Sequence, residues 1–362
     1  MNIWDKERYE RLINVQKIWK MVINGKISKK TVCLFLALLI AAGVLLSVVF
    51  DVCGVGGGNV AIMVLIPEGA NLDSISEILK DEEIIRYPSL FRLRVKAGNE
   101  DYIFQMGGHS LTGSMSYGEV IRKLTEKPEV ELNQSVKVTI PEGYELWKIA
   151  QKLEDEGFVH RDAFIEECEK GSFDYAFIDE IQRDENRLEG YLFPATYDLV
   201  PGMSEHEIID MMLKAFNDRI VPIYKKAQTD RTLDELVIMA SMVEREAAND
   251  SERGKVASVF YNRLEADMTL SSCATVQYII EERKPVLSNS DIKIKSPYNT
   301  YINKGLPIGP IASPGEDSFI AAVWPEDTDY LYFAAKADGS ANVFSRTGDE
   351  HMKIVDEIQG GN

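Results

Sequence analysis

Hydrophobic residues form one long uninterrupted run near the N-terminus and many shorter periodic runs after it. The long run, 31–50 (TVCLFLALLIAAGVLLSVVF), has twenty residues without a formal charge. That is the length a helix needs to cross a bilayer. A cleaved signal peptide has a shorter apolar region followed by an Ala-x-Ala site, and the sequence has neither. The pattern predicts a transmembrane helix at 31–50.

Charged residues on the two sides of this run predict its orientation. Residues 1–30 contain eight lysines and arginines against three acidic residues. The positive-inside rule therefore places 1–30 in the cytoplasm and the rest of the chain outside. Residues 51–60 follow the run and are rich in glycine, so we expect a flexible tether there.

An internal repeat follows the tether. Residues 61–69 read AIMVLIPEG and 136–143 read VKVTIPEG, and in both copies an amphipathic helical pattern comes next. The matched positions are offset by 74 residues throughout. Each copy predicts a short strand, a Pro-Glu-Gly turn and a helix. We interpret the two turns as duplicated scaffold rather than as catalytic elements.

Further periodic runs predict helices at 117–124, 162–170 and 203–216. A longer helical pattern at 233–264 is interrupted at 249–251, and Asp250 and Ser251 are expected to cap the second helix, 252–263. Residues 296–315 (SPYNTYINKGLPIGPIASPG) are rich in proline and glycine and predict a rigid extended loop. Loops of this length in compact domains are usually functional.

Composition restricts the class of protein. The chain has 362 residues, of which 45% are hydrophobic and 27% charged, which is typical of a globular protein with two or three domains. A net charge of -18 argues against binding to nucleic acid. Four cysteines occur without a CxxC or Cys/His cluster, so no metal site or cofactor is predicted. Cys168 and Cys273 are expected to be buried free thiols, with a disulfide between them as the alternative.

One glutamate has a distinctive position in this pattern. Residues 236–243 are almost entirely apolar, and Glu244 ends the run. A carboxyl group at the edge of an apolar helix loses solvation, so we expect its pKa to rise, as in a general acid. Glu246 points roughly 200° around the helix axis from Glu244 and is expected to lie outside its pocket. The alternative is a helix that simply emerges into solvent.

Several segments of the second half carry amides, hydroxyls and aromatic rings that suit sugar recognition. The candidate substrate-binding residues are Glu189, Tyr191, Asn262, Ser272, Thr275, Gln277, Tyr298, Asn299 and Thr300. Each cluster alone is weakly specific. Arg346 and His351 are further candidates near the site, although a lone histidine is more often structural.

Taken in order, six motifs resemble those of the YceG-like endolytic murein transglycosylases (MltG). They are LEGYLFPATYDL, IMASMVEREA, KVASVFYNRL, LSSCATVQY, SPYNTYINKGLPIGPIASPG and VFSRTGDEH. The resemblance covers nearly the whole chain. It implies that Glu244, the first glutamate of the Val-Glu-x-Glu motif, is catalytic. Many family members have Ser-Asp-Pro-Thr where this chain has Ser272, Cys273, Ala274 and Thr275, so no role for that aspartate is carried over.

The resemblance also implies an α+β fold with a single N-terminal transmembrane helix. The expected domains are a cytoplasmic basic segment at 1–30, the membrane helix at 31–50, a tether at 51–60, a small LysM-like α/β subdomain at 61–130 and a larger mixed α+β catalytic domain at 134–358. It places the chain in the cell membrane as a single-pass protein with an extracytoplasmic catalytic domain. The implied partners are nascent peptidoglycan glycan strands, with peptidoglycan synthases as further candidates.

The implied activity is cleavage of the MurNAc–GlcNAc bond within nascent strands to give 1,6-anhydro-MurNAc ends. A muramidase that uses water is the alternative, and it needs a second carboxylate, for which Glu189 and Asp267 are the candidates. A non-catalytic wall-binding scaffold is the alternative from another class.

Overall fold

The computed structural model describes residues 29–98, 102–131, 134–284 and 286–360. Within them the fold is mixed α+β, with twelve α-helices and three two-stranded sheets. The predicted α+β class with one N-terminal apolar helix is thereby confirmed. Most of the basic segment at 1–30 and residues 132–133 lie outside the described residues.

The helices and strands are numbered here in chain order. The α-helices are α1 (Lys29–Cys53), α2 (Leu72–Asp81), α3 (Pro88–Ala97), α4 (Tyr117–Thr125), α5 (Leu146–Asp155), α6 (Arg161–Lys170), α7 (Glu205–Lys226), α8 (Leu233–Glu246), α9 (Arg253–Glu265), α10 (Cys273–Ile280), α11 (Glu316–Val323) and α12 (Gly348–Gly360). The strands are β1 (Ala61–Ile66), β2 (Gly107–Thr112), β3 (Val136–Thr139), β4 (Thr196–Leu199), β5 (Tyr332–Ala335) and β6 (Asn342–Ser345). The helices predicted at 117–124, 162–170 and 203–216 correspond to α4, α6 and α7.

Each sheet pairs two strands. Strand β1 pairs with β2, β3 with β4, and β5 with β6. The β3–β4 pair is antiparallel, with Val136 opposite Leu199 and Thr139 opposite Thr196. Two-stranded sheets of this length are not stable alone in water, so their stability depends on packing against helices.

The described residues divide into two compact units. Helices α1 to α4 belong to the first unit, and strands β1 and β3 to β6 with helices α5 to α12 belong to the second. The core of the second unit is built around α8, whose residues from Leu236 to Val243 are all buried. A helix that is apolar around its whole circumference must be surrounded by other elements. The helices α9, α10 and α11 pack against it.

The predicted repeat is confirmed as strand, turn and helix in both copies, β1 with α2 and β3 with α5. The two turns also share a backbone conformation. Gly69 has a φ of +73° and Gly143 a φ of +72°. Only glycine adopts this left-handed conformation without a steric cost, which explains the glycine at the end of each Pro-Glu-Gly turn.

The apolar helix α1 contains one span, Cys33–Cys53, that is long and apolar enough to cross a membrane. None of its apolar window is buried inside the fold. The helix continues beyond the predicted end at residue 50 to Cys53, and Asp51 in its last turn joins it to the rest of the first unit. The Asp51 carboxylate accepts hydrogen bonds from the Arg86 amide at 2.9 Å, the Tyr87 amide at 3.3 Å and the Tyr117 hydroxyl.

The glycine-rich segment after α1 is packed as well. The Gly58 carbonyl accepts a hydrogen bond of 3.0 Å from the Ser114 amide, and a Cβ on Gly57 would overlap the backbone of Gly113. The expectation of a flexible tether is therefore not met at these residues. Their glycines permit close backbone contact rather than free motion.

The interruption between α8 and α9 is confirmed, but the predicted caps are wrong. Asp250 and Glu252 lie in a short 3-10 helix, and the Asn249 side chain accepts the amide hydrogen bond of Ser251. Helix α9 then begins at Arg253 without a side-chain cap. The 3-10 turn, which the spacing of apolar residues does not reveal, supplies the entry to the helix.

We expect Asp51→Ala to loosen the junction between α1 and α3. The substitution removes the acceptor for the amides of Arg86 and Tyr87. Each such hydrogen bond contributes about 0.5–1.5 kcal/mol to stability. Hydrogen exchange of these two amides should be roughly 5-fold faster or more in the full chain in detergent micelles. Asp81→Asn, at an exposed aspartate of α2, is the control. Unchanged exchange in Asp51→Ala would contradict the role assigned to this carboxylate.

Candidate active site

Glu244 lies in the last turn of α8, and its side chain is 9% exposed. One carboxylate oxygen accepts hydrogen bonds from the Ser318 hydroxyl at 2.7 Å and the Gly315 amide at 3.1 Å. The other lies 3.4 Å from Nη2 of Arg253. The sequence predicted that Glu244 loses solvation at the edge of an apolar helix. In the structure its carboxyl group is enclosed and surrounded by three donors. The apolar residues of α8 face the core below it.

Arg253 connects four elements at this site. Its side chain is 12% exposed at the start of α9, and Nε donates to the Ser318 hydroxyl of α11 at 2.9 Å. Nη1 pairs with Asp250 of the 3-10 helix at 2.6 Å, and Nη2 faces Glu244 of α8. An enclosed guanidinium must be paired to offset its lost hydration, so these contacts fix the relative positions of the elements.

The second Pro-Glu-Gly turn lies directly beside Glu244. A Cβ on Gly143 would lie 3.6 Å from Cγ of Glu244, in ordinary van der Waals contact. The turn is held by two backbone hydrogen bonds, from the Gly143 amide to the Ser313 carbonyl at 2.9 Å and from the Ser313 amide to the Tyr144 carbonyl at 2.8 Å. The same loop is joined to α8, because the Ile311 amide donates to the Ser241 hydroxyl at 3.0 Å.

This turn brings Glu142 into the site. Its side chain is 52% exposed, and one oxygen lies 3.7 Å from Nη2 of Arg253. Partial burial, with a smaller contribution from the charge of Glu244, raises the pKa of the Glu142 carboxyl group, and Arg253 partly opposes this. A side chain larger than hydrogen at Gly315 would collide with the Glu142 carboxylate.

Sequence reasoning missed Glu142, Arg253, Gly315 and Ser318. The Pro-Glu-Gly turn was interpreted as scaffold because both copies read alike, and Arg253 stands just before the motif that carried the family resemblance. A signal was nevertheless present. Arg253 follows Glu244 after a helix break, and a change of chain direction at such a break can bring the arginine side chain close to the carboxylate.

Four of the predicted substrate-binding residues form a buried network. The Ser272 amide donates to the Thr300 hydroxyl at 3.0 Å, and the Thr275 and Thr300 hydroxyls are 3.0 Å apart. The Asn299 side chain donates to two backbone carbonyls of the preceding loop. These four side chains are at most 3% exposed. This differs from the expectation of sugar contact, since their polar atoms bind the loop 292–300 to the start of α10.

Glu189 and Tyr191 also lie in the core, each 1% exposed. The Glu189 carboxylate accepts hydrogen bonds from the Leu146 amide at 3.0 Å and the Tyr278 hydroxyl at 3.1 Å. Burial raises the pKa of Glu189 to about 7, although both hydrogen bonds oppose the shift. The Tyr191 hydroxyl donates to Asp234 at 2.8 Å. Neither side chain faces solvent, in contrast to the predicted substrate contact.

Three further predicted residues are partly exposed but engaged in the fold. The Asn262 amide donates to the carbonyls of Thr328 and Tyr330 at 2.8 and 2.9 Å. The Gln277 amide donates to the Lys284 carbonyl at 2.9 Å. The Tyr298 ring packs 4.9 Å from that of Tyr278. Their contact with substrate stays a prediction.

Glu246 lies apart from Glu244, as its helical spacing predicted. Its carboxylate accepts hydrogen bonds from the Ser272 hydroxyl at 2.5 Å and the Ala274 amide at 3.2 Å, at the start of α10.

The muramidase alternative needs a second carboxylate, for which Asp267 and Glu189 were the candidates. Asp267 is 83% exposed and pairs with Lys304 at the surface. Glu189 is buried in the core.

Arg346 and His351, the two further candidates near the C-terminus, contact residues other than Glu244. Arg346 pairs with Asp329 at 2.7 Å, and the His351 ring stacks on Tyr332 at a centroid distance of 5.2 Å. Partial burial, and to a lesser extent Arg263, lower the pKa of His351.

The cysteines of the described residues are free thiols. Cys168 is buried, as predicted. Cys273 is exposed and its Sγ lies 2.9 Å from the Tyr301 hydroxyl, so the prediction of burial was wrong for this residue. It stands at the first position of α10, whose next three residues are buried.

The site and fold define a class of protein. An enclosed glutamate with three donors and a half-exposed second carboxylate, held by an α+β fold, are the features of an acid–base site. The chain belongs to the YceG-like family, whose model matches residues 64–357.

Known relatives agree with this assignment. The chain is 36% identical over 304 residues to an endolytic murein transglycosylase of Bacillus subtilis, which covers 81% of this chain and 83% of that protein. A Streptococcus pneumoniae protein of the same name is 30% identical over 318 residues, and the match spans 57% of its length. A crystal structure of a putative YceG-like protein from Listeria monocytogenes has a TM-score of 0.55 and 34% identity, covering 81% of this chain and 99% of that one.

We expect the buried Glu189 to make stability depend on pH. Its pKa is about 7 in the folded protein, above the usual value of about 4.5, so the native state keeps this proton to higher pH than the unfolded chain. The free energy of unfolding should therefore fall by about 3 kcal/mol as the pH rises from about 4.5 to about 7.

Urea unfolding across this pH range measures the effect. Glu189→Gln keeps a hydrogen-bond acceptor but does not titrate, so the difference between wild type and variant isolates Glu189. Glu265→Gln, at an exposed glutamate of α9, is the control. Parallel pH dependences for wild type and Glu189→Gln would contradict the assigned pKa.

Proposed function

We propose that this chain is an endolytic murein transglycosylase. It cleaves the MurNAc–GlcNAc bond within nascent glycan strands, leaves 1,6-anhydro-MurNAc ends and thereby terminates strand elongation. The observation that carries the proposal is Glu244 in its donor-lined site at the end of α8. It is supported by membership of the YceG-like family and by the activity for which the relatives are named.

In the proposed reaction Glu244 gives its proton to the glycosidic oxygen that leaves with GlcNAc, and the bond from that oxygen to C1 of MurNAc breaks. The C6 hydroxyl of the same MurNAc then bonds to C1, and its proton passes to the Glu244 carboxylate. Atoms and protons balance without water, and the acid is regenerated. The Ser318 hydroxyl can donate to the carboxylate or accept from the carboxylic acid, so this contact serves both protonation states.

The proposed location follows from α1. Its apolar span supports a single-pass anchor in the cell membrane, and the basic residues at 1–30 support a cytoplasmic N-terminus. The catalytic domain is then extracytoplasmic, on the side of the membrane where new glycan strands emerge. Peptidoglycan synthases are proposed partners because they produce those strands.

The proposed domain organisation assigns 61–130 to a LysM-like subdomain and 134–358 to the catalytic domain. Residues 1–30, 31–50 and 51–60 are the cytoplasmic segment, the membrane helix and the connecting segment. The family resemblance supports this division, and every residue assigned to the site around Glu244 falls within 134–358.

Glu244→Gln should reduce cleavage of uncrosslinked nascent glycan by about 10²- to 10⁴-fold, because it removes the only proposed proton donor while keeping the shape of the side chain. The assay uses the full chain in detergent micelles with mass analysis of the products, in which an anhydro end is lighter than a reducing end by one water.

The matched control is Glu265→Gln, which changes a glutamate in the last turn of α9 at the surface. It should cut at the wild-type rate. Reducing ends in the wild-type digest would show hydrolysis instead, and wild-type activity in Glu244→Gln would exclude the mechanism. Equal glycan binding with no cutting by either protein would favour a scaffold.

A further inference from the structure

The two copies of the Pro-Glu-Gly turn have the same backbone but different surroundings. Glu68, in the first copy, is exposed, and its carboxylate has no hydrogen bond or ion pair among the described residues. Glu142, at the equivalent position, faces Arg253 across the site that holds Glu244. The motif therefore does not require a glutamate contact to form the turn, and the position of Glu142 calls for another explanation.

The geometry places Glu142 within reach of the same substrate as Glu244. Oxygens of Glu142 and Glu244 lie 3.7 and 3.4 Å from the same nitrogen, Nη2 of Arg253, so they are at most about 7 Å apart. The separation is therefore below the upper limit of about 9.5 Å for paired carboxylates in glycosidases. Gly315 lies between them, because its amide binds Glu244 and its Cα faces Glu142.

Accessibility distinguishes the two carboxylates. The Glu244 side chain is 9% exposed and has three donors, whereas that of Glu142 is 52% exposed and has one distant cation. Glu142 thus has free acceptor positions turned toward solvent. Its backbone is fixed by the hydrogen bonds of Gly143 and Tyr144 to Ser313, so the carboxylate is presented on a rigid support.

Resting on the proposed function, we propose that Glu142 is a second catalytic carboxylate, which accepts the N–H of the MurNAc acetamido group and stabilises the positive charge that develops at C1. Glu244 keeps both proton transfers, and Glu142 forms no covalent bond. A fixed negative charge beside a cationic transition state in an enclosed site is among the strongest catalytic effects available to a protein.

The charge must be present for this role, and the surroundings of Glu142 determine when it is. The charged groups that act on it are Glu244 of α8, Asp250 of the 3-10 helix, Arg253 of α9 and Asp317 of α11. Burial and the three carboxylates raise the pKa of Glu142, and Arg253 lowers it. When the solution is acidified, activity should therefore begin to fall at a higher pH than it would with a glutamate of ordinary pKa.

The test compares Glu142→Gln with Glu68→Gln, the same substitution in the other copy of the turn. We expect Glu142→Gln to lower kcat about 10²-fold with little change in KM, and to remove the acidic limb of the pH profile of kcat/KM. Glu68→Gln should match the wild type in both. Glu142→Asp keeps the charge and should retain the acidic limb with part of the rate.

A second measurement separates a contact with the acetamido group from a structural role. On glycan whose muramic residue carries hydrogen at C2 in place of the whole acetamido group, the wild type should slow strongly, whereas Glu142→Gln should lose little more, because both changes weaken the same charge-assisted contact. Thermal unfolding of all variants in the same micelles shows whether they are folded. If Glu142→Gln does not fold, Glu142→Asp replaces it in the comparison.

Two results would overturn the proposal. One is a kcat of Glu142→Gln within about threefold of that of Glu68→Gln, far short of the expected loss. The other is independent, multiplicative losses from the substitution and from removal of the whole acetamido group at C2. Either leaves the transglycosylase proposal intact if the wild type still makes anhydro ends. Absence of anhydro ends in the wild-type digest would instead refute the transglycosylase proposal itself.

Discussion

The enclosed guanidinium of Arg253 is the interaction on which the site depends. It binds Asp250 and Ser318 and faces Glu244 and Glu142, so one cation joins α8, the 3-10 helix, α9, α11 and the second Pro-Glu-Gly turn. Removing such a charge would leave several carboxylates close together without a counterion, which is costly above all for the enclosed Glu244. The same cation lies close to both carboxylates and offsets part of their negative charge.

The duplicated turn shows how one backbone design supports two outcomes. Both copies need a glycine with positive φ, and both present a glutamate immediately before it. Only in the second copy do backbone hydrogen bonds to Ser313 hold the turn against the end of α8. The chemical role of the glutamate therefore depends on its neighbours and not on the motif.

The sequence was sufficient for the elements that depend on local pattern. The apolar period predicted α8 and the position of Glu244 at the end of its buried run, and the repeat predicted two strand–turn–helix copies. It was insufficient where long-range contacts decide. Asn299 and Thr300 have the composition of a sugar site, yet their polar atoms satisfy a buried loop, because buried polar groups must find partners. Arg253 was overlooked for the converse reason, since only the folded chain brings it to Glu244.

The contact of Asp51 with the amides of Arg86 and Tyr87 has a mechanical consequence. An anchor that ends in a loose linker transmits neither torque nor tilt, whereas one whose last turn is bonded to the adjoining helices acts as a lever. Transmembrane helices adjust their inclination to the thickness of the surrounding bilayer. With α1 as the proposed membrane anchor, lipid composition would then bear on the orientation of α2 to α4, and the membrane would help to aim the unit attached to it.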